Sequence, residues 1–147
     1  MKTISLVLDK DVLSRYTKTY FSKHPRAKKI PITEPWHPSI NQWCILPRIQ
    51  MNALKQKWKD FILWWIADLG YENLKLNKYN LEVTIYKPSK RRADPDNYTQ
   101  KFVNDGFTEA GFIVDDDGEH CRSLILKTRY DKEHPRTEYL FTVLNDD

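Results

Sequence analysis

Residues 81–114 read LEVTIYKPSKRRADPDNYTQKFVNDGFTEAGFIV, and strand-like and helix-like patterns follow one another within this segment. At 81–86 apolar residues alternate with polar ones, which is typical of a half-buried strand. From 97 to 110 the apolar residues recur at helical spacing, and Gly111 closes the predicted helix. Residues 112–114 follow as a short apolar strand. This succession predicts a fold that contains both helices and strands.

The same kinds of pattern occur on both sides of this segment. The predicted elements there are a strand at 4–8, a partly helical stretch at 12–21, a helix at 52–69, and strands at 124–130 and 139–144. Gly70 stands where a helix C-terminal cap is expected, and the last two strands are joined by a turn-rich stretch that indicates a hairpin. We therefore expect an α+β fold, a small mixed sheet packed by two main helices.

The composition predicts one soluble, globular domain. The chain has 147 residues, of which 40% are hydrophobic and 30% charged. Its longest apolar run, residues 61–67, is too short to cross a bilayer, so no membrane is expected as a partner. The apolar residues 4–8 are followed at once by charged ones, unlike a secretory signal, and a cytoplasmic location is expected. Residues 1–29 form a basic N-terminal extension, appended to the main domain at 30–147 or part of it.

The acidic residues are concentrated in one part of a basic chain. Residues 94–119 contain eight acids and one base, Lys101, whereas the whole chain has a formal charge of +4. A basic protein attracts a polyanion, and a dense acidic patch repels one unless a cation neutralises it. A bound divalent cation resolves this conflict most simply.

Two carboxylate groups in this patch have the pattern of a metal site. Asp94-Pro95-Asp96-Asn97 places two carboxylates at a helix start, and Val114-Asp115-Asp116-Asp117-Gly118 places three more at a strand end. If the helix between them folds back on the sheet, the two groups converge. Hard carboxylate oxygens are the ligands that Mg²⁺ or Mn²⁺ requires, and such an ion activates water for phosphodiester hydrolysis.

Simpler structural explanations exist for the same residues. Asp94 and Asp96 could merely cap helix 97–110, whose N-cap is Asp96 or Asn97, and residues 115–118 could be an ordinary turn. The spacing excludes an EF-hand loop, because Tyr98 and Ile113 occupy positions that require ligands. His120 and Cys121 lack the paired spacing of a zinc site.

Basic residues lie beside the first acidic group. They are Lys87, Lys90, Arg91 and Arg92. Side chains of this kind near a metal site suit the phosphates that flank a scissile bond, and a solvated basic loop is the alternative. Lys101 lies about one turn into the predicted helix, where its ammonium group reaches the metal site or points to solvent.

Two motifs together carry a resemblance to a known family. The first is Arg91-Arg92-Ala93-Asp94-Pro95-Asp96-Asn97, then Lys101, then Gly111-Phe112-Ile113-Val114-Asp115-Asp116. The second is Ile32-Thr33-Glu34-Pro35-Trp36-His37-Pro38-Ser39-Ile40-Asn41. In this order they resemble the RusA family of Holliday-junction resolvases, over most of the chain from about residue 30 to residue 144.

The resemblance implies a RusA-like nuclease domain at 30–147. It implies a homodimeric, Mg²⁺-dependent endonuclease, often of phage or prophage origin, that nicks four-way DNA junctions. By position, the implied catalytic residues are Asp94, Asp96, Asp116 and Lys101, and the implied metal ligands are Asp94, Asp96, Asp115 and Asp116. Asp117 stays an alternative for the third aspartate, and Gln100 an alternative for the lysine.

Three functions are therefore compatible with the sequence. The first is junction cleavage by metal-activated water, with the four basic residues on the DNA. The second is a DNA- or junction-binding protein that does not cleave. The third is a nuclease with the same metal site that acts on flaps or RNA.

Overall fold

Four strands and three helices make up the part of the chain that the computed structural model describes, residues 2–35, 45–90 and 98–145. In chain order the elements are β1 (Thr3–Asp9), α1 (Lys10–Lys23), α2 (Arg48–Leu69), β2 (Tyr79–Lys87), α3 (Lys101–Glu109), β3 (Cys121–Tyr130) and β4 (Arg136–Val143). The fold is α+β, with one mixed sheet, as the sequence predicts. No helix within these ranges is long and apolar enough to cross a membrane.

The strand order in the sheet is β1-β4-β2-β3. β4 runs antiparallel to both β1 and β2, whereas β2 and β3 are parallel. The predicted hairpin of the last two strands is wrong, because β2 lies between β3 and β4. A parallel pair needs a crossover connection, and α3 provides it between β2 and β3.

One face of the sheet is buried under the helices. In β2 the residues at alternate positions from Tyr79 to Ile85 are fully buried, and the intervening ones are half-buried. α2 packs on this face with an apolar stripe whose buried members are Trp58, Phe61, Ile62, Trp65 and Ile66. Gly70 adopts a left-handed conformation, φ 76°, after the last residue of α2, as the sequence predicts.

α3 begins later than the sequence predicts. It spans Lys101–Glu109 rather than 97–110, so neither Asp96 nor Asn97 is its N-cap. Tyr98 is buried in the core, and its hydroxyl accepts a hydrogen bond of 3.0 Å from the Lys87 ammonium group. The residue before Lys101 is Gln100, which is the N-cap of α3 and makes no side-chain capping hydrogen bond. The predicted strand at 112–114 is also wrong, since this stretch makes a single bridge, between Ile113 and Leu76.

The N-terminal elements share the sheet and the core with the rest of the chain. β1 pairs along its whole length with β4, and Ile4, Leu6 and Leu8 are buried. The Asp9 carboxylate accepts the Val12 N–H at 3.0 Å, which caps α1. α1 then packs against α2. Residues 3–23 therefore contribute a strand and a helix to the same core as residues 45–90 and 98–145.

Candidate metal centre

The acidic turn, which we define as residues 115–118, is fixed to the beginning of β2. The Tyr79 hydroxyl donates a 2.9 Å hydrogen bond to the backbone carbonyl of Asp115. On the other side of the turn, the Cys121 N–H donates to the backbone carbonyl of Asp117 at 2.8 Å. Tyr79 begins the central strand β2 and Cys121 begins the neighbouring edge strand β3, so the acidic turn is tied to the sheet on both sides.

Asp115 and Asp116 form a carboxyl pair. The Asp116 N–H donates to Asp115 Oδ1 at 2.8 Å, and the side chains of both residues are half-buried. Burial raises the pKa of the Asp116 carboxyl above its usual range, and a hydrogen bond with the Asp115 side chain and the charge of Asp105 raise it further. The negative charge at Asp116 is therefore only partly compensated by its surroundings. A divalent cation bound between the two carboxylates would compensate it.

Lys101 and Asp105 lie one turn apart on α3, and the charges of both act on Asp116. The charge of Lys101 lowers the pKa of Asp116, opposite in direction to the effect of Asp105. The Lys101 ammonium is exposed and lies 3.8 Å from Asp105 Oδ1. Gln100, the alternative for the lysine position, is buried, and its amide donates to Asn104 Oδ1 at 2.9 Å. The structure thus brings Lys101, Asp115 and Asp116 into one electrostatic group and keeps the Gln100 amide within α3.

Asp117 and His120 interact within the same turn. Asp117 Oδ1 accepts the backbone N–H groups of Glu119 and His120, each at 3.1 Å, and lies 2.5 Å from His120 Nδ1. The hydrogen bond from His120 lowers the pKa of Asp117. Ligand atoms of Asp115, Asp117 and His120 also lie within 4.8 Å of one another.

His120 was not assigned as a ligand from the sequence. The signal that would have found it is its position three residues after Asp117, which places both side chains on one side of a turn. Asp115 belongs both to the Asp115–Asp116 pair and to the group with Asp117 and His120. A hard cation such as Mg²⁺ fits the all-oxygen pair, whereas an imidazole ligand is more suitable for a transition metal.

Two of the four predicted phosphate contacts lie near the far end of β2. The Lys87 ammonium lies 5.6 Å from the centre of the Tyr98 ring, and that of Lys90 lies 5.3 Å from the centre of the Tyr130 ring. Lys87 is eight residues along the strand from Tyr79, about 26 Å at the usual rise per residue. The acidic turn and these basic residues therefore mark opposite ends of β2.

The remaining predicted site residues, Asp94, Asp96, Arg91 and Arg92, lie outside the described residues, as does the second motif from Trp36 to Asn41. Their part in the site stays a prediction from the sequence. No protein-family model matches this chain, and no curated protein matches it.

Proposed function

We propose that this chain is a Mg²⁺-dependent endodeoxyribonuclease that nicks four-way DNA junctions. Mn²⁺ is the alternative ion. The proposed ligands are Asp94, Asp96, Asp115 and Asp116. A bound ion of this kind supplies an activated water and neutralises charge on the phosphate. We further propose that the enzyme acts in the cytoplasm as a homodimer.

The observation that carries this proposal is the Asp115–Asp116 pair beside Lys101. A carboxyl whose pKa is raised by burial and by neighbouring acids is uncommon in an ordinary surface turn and common at functional sites. Hydrogen bonds from the Tyr79 hydroxyl and the Cys121 N–H tie the turn that carries the pair to the sheet. Its all-oxygen donors suit Mg²⁺. The resemblance of the sequence to RusA resolvases adds the two remaining acids and the four-way substrate.

Different residues of the chain have different roles in the proposed cleavage. Asp116 and Asp115 hold negative charge where the cation is needed, and Lys101 places a positive charge beside them for the phosphate. Lys87, Lys90, Arg91 and Arg92 contact DNA phosphates and hold the substrate in position. Cleavage by activated water leaves 5′-phosphate and 3′-hydroxyl ends.

Incubation with labelled DNA tests this function. The substrates are a four-way junction, a flap, a linear duplex and a single strand, each with Mg²⁺, Mn²⁺ or EDTA, together with a flap and a hairpin of RNA. We expect metal-dependent nicking of the four-way junction by the wild type and by Glu133→Gln, an exposed acid distant in sequence from the turn, and none by Asp116→Asn. Preferential cutting of the flap or of RNA would replace the proposed substrate.

A non-cleaving DNA-binding protein is the second candidate. The hydrogen bonds of the acidic turn favour it, because Asp115 and Asp117 accept backbone N–H groups as the side chains of many structural turns do. In that case the wild type binds the junction and cuts none of the substrates with any metal. The same assay therefore separates the two candidates.

A further inference from the structure

A groove lies between α1 and α2, on elements that the proposed cleavage does not use. We name it the α1–α2 groove, and its volume is about 250 Å³. The residues that matter for its chemistry are Tyr16, Tyr20, Lys23, His24, Lys57 and Trp64. Pockets for drug-sized ligands usually measure roughly 300–1,000 Å³. A groove of this size suits a single flat ring better than a large ligand.

Aromatic side chains form the walls of the groove. Tyr20 and His24 are stacked, with ring centres 4.4 Å apart and planes at 24°. Trp64 also lines the groove, with its ring centre 5.2 Å from that of Tyr16, and is half-buried like Tyr20. Tyr16 is buried and contacts Phe61 of the core at 5.1 Å. Tyr16 therefore connects the groove to the core, and Tyr20 and Trp64 retain exposed surface beside it.

The groove also has a basic rim. Lys23 and Lys57 line it together with one acid, Asp60, which accepts a 2.7 Å hydrogen bond from the Gln56 amide. The chain that leaves α1 adds three bases and no acid between residues 24 and 33. Burial raises the pKa of Tyr16 to about 12, so its hydroxyl stays a neutral donor at physiological pH. The groove thus combines flat rings, a hydroxyl donor and a surplus of positive charge.

We propose that the α1–α2 groove binds an unpaired nucleotide of a single-stranded nucleic acid. The base stacks against Tyr20 or Trp64, and the adjoining phosphates contact Lys23 and Lys57. Stacking on aromatic rings beside cationic side chains is how single strands are bound without sequence preference. A base inside a duplex is already stacked and cannot enter. An acidic peptide would match the positive charge of the rim, but its acidic side chains would not stack on the aromatic rings of the groove.

The test compares two strands that differ only in their bases. Fluorescence anisotropy measures binding of the full chain, in EDTA, to a labelled 12-mer of oligothymidylate and to a 12-mer of abasic deoxyribose phosphate. We expect the thymidylate to bind about tenfold more tightly, in the range of one or two stacked bases. Equal affinity would mean that charge alone attracts the strand, and would overturn the proposal. A 12-mer of oligouridylate, run beside them, shows whether RNA or DNA is preferred.

Matched variants locate the contacts. Tyr20→Leu should weaken thymidylate binding about five- to tenfold, toward the affinity of the abasic strand, and leave abasic binding unchanged. Tyr86→Leu, a half-buried tyrosine on the other face of the sheet, should leave both unchanged. Thymidylate affinity that survives in Tyr20→Leu and also in Trp64→Leu would overturn the proposal, provided that circular dichroism shows both variants folded.

Charge variants complete the test. Lys23→Gln with Lys57→Gln should weaken binding to both strands and reduce the salt slope by about 1.4, or 0.7 for each phosphate that is no longer bound. Lys2→Gln with Lys132→Gln removes the same charge from exposed positions elsewhere and should leave the slope unchanged. Displacement of thymidylate by polyglutamate at equal charge would point to an acidic protein partner instead. Since no cleavage is measured, the outcome is independent of the proposed nuclease activity.

Discussion

Asp116 lowers the stability of the metal-free protein at neutral pH, because its surroundings favour the protonated carboxyl. The folded-state pKa lies above that of the unfolded chain. The favourable contribution is therefore fully present at pH values below the unfolded-state pKa, and is lost as the pH rises through the folded-state pKa. An aspartate whose surroundings destabilise its charged form does not favour folding at neutral pH, so we infer that its role is to bind a ligand.

Replacing Asp116 with Asn should therefore stabilise the protein in EDTA. We expect a rise in Tm of about 1–4 °C at pH 7 and a smaller rise at pH values below the unfolded-state pKa, where the wild-type carboxyl no longer lowers the stability. Mg²⁺ or Mn²⁺ should raise the Tm of the wild type more than that of the variant. Differential scanning fluorimetry measures both effects, with Glu119→Gln, an exposed acid just beyond the turn, as control. A variant that is less stable than the wild type at pH 7 contradicts the assignment.

Cleavage should depend on Asp116 and much less on Asp117. Asp116→Asn removes a ligand and should abolish nicking while junction binding stays intact or becomes stronger, since repulsion of phosphate falls. Asn at 117 keeps a side-chain oxygen for the N–H groups of Glu119 and His120, so the turn is preserved. Rates of nicking under single-turnover conditions decide between them. If Asp117→Asn is inactive and Asp116→Asn active, the metal is bound by Asp115, Asp117 and His120.

At the scale of elements, the position of Lys101 depends on how closely α3 packs on α2. Gly106 of α3 lies against Ile62 of α2, and a Cβ at this position would lie only 2.7 Å from Ile62 Cβ. Contact between side-chain Cβ atoms at this distance requires the helices to separate. The absence of a side chain at 106 thus sets the distance of α3, and with it the position of Lys101 and Asp105.

Gly106→Ala should consequently destabilise the protein by about 1–3 kcal/mol, the usual cost of overpacking a core. Urea unfolding followed by circular dichroism measures the free energy of unfolding. Gly118→Ala is the matched control, because a Cβ there meets no atom within 4 Å. Equal stability of the two variants would show that α3 moves away from α2 without cost.

The sequence predicted the individual helices and strands better than the pairing of the strands in the sheet. The alternation at 81–86 and the spacing at 52–69 identified β2 and α2 because each records which side of the element is buried. The hairpin failed because local pattern contains nothing about β2 lying beside β4. The start of α3 was misplaced because the N-cap is Gln100, which makes no side-chain capping hydrogen bond and therefore carries no capping pattern that the sequence reveals.

In the candidate site as well, local sequence pattern predicts the residues but not the contacts between distant parts of the chain. Consecutive aspartates at the end of the predicted strand 112–114 led to the prediction of Asp115 and Asp116 as ligands, because a run of carboxylates is a local pattern. The contacts that support them come from residues far away in the chain, such as the Tyr79 hydroxyl, 36 residues from Asp115. The proximity of Lys101 to Asp116 likewise depends on the crossover from β2 to β3. Only the folded chain reveals these relations.

At the scale of the whole molecule, the length of β2 separates the acidic turn, where cleavage is proposed, from the proposed phosphate contacts of Lys87 and Lys90. Lys87 lies about 26 Å from Tyr79 along the strand, which corresponds to roughly eight base pairs of duplex. Phosphates held by Lys87 and Lys90 should therefore lie well away from the cleaved bond.

Lys87→Gln with Lys90→Gln should weaken binding to all duplex DNA alike and reduce the salt slope by about 0.9 for each phosphate that the variant no longer binds. The effect should be present with junction arms of about 15 base pairs and small with arms of about 5, which end before the distance is spanned. Anisotropy titrations at several salt concentrations measure it, with Lys2→Gln and Lys132→Gln as control. An unchanged salt slope would show that neither Lys87 nor Lys90 contacts a phosphate.

The symmetry of the proposed substrate predicts that the chain assembles with a second copy of itself. A four-way junction has two-fold symmetry, and its resolution into two ligatable duplexes needs nicks in two opposed strands, so a single active site does not suffice. A two-fold dimer presents the same acidic turn twice. Exposed apolar side chains on the edge strand β3, Leu124, Ile125 and Tyr130, offer surface for such an interface.

We therefore expect a homodimer in solution, measured by sedimentation equilibrium. Wild-type chains mixed with Asp96→Asn chains should form heterodimers that nick one strand of a junction and leave the opposed strand intact, since each active site cuts one strand. Dimers of wild-type chains alone, under the same conditions, should nick both strands of one junction. A strictly monomeric protein that still makes paired incisions would refute this arrangement and would favour a flap or single-strand nuclease, for which one active site is enough.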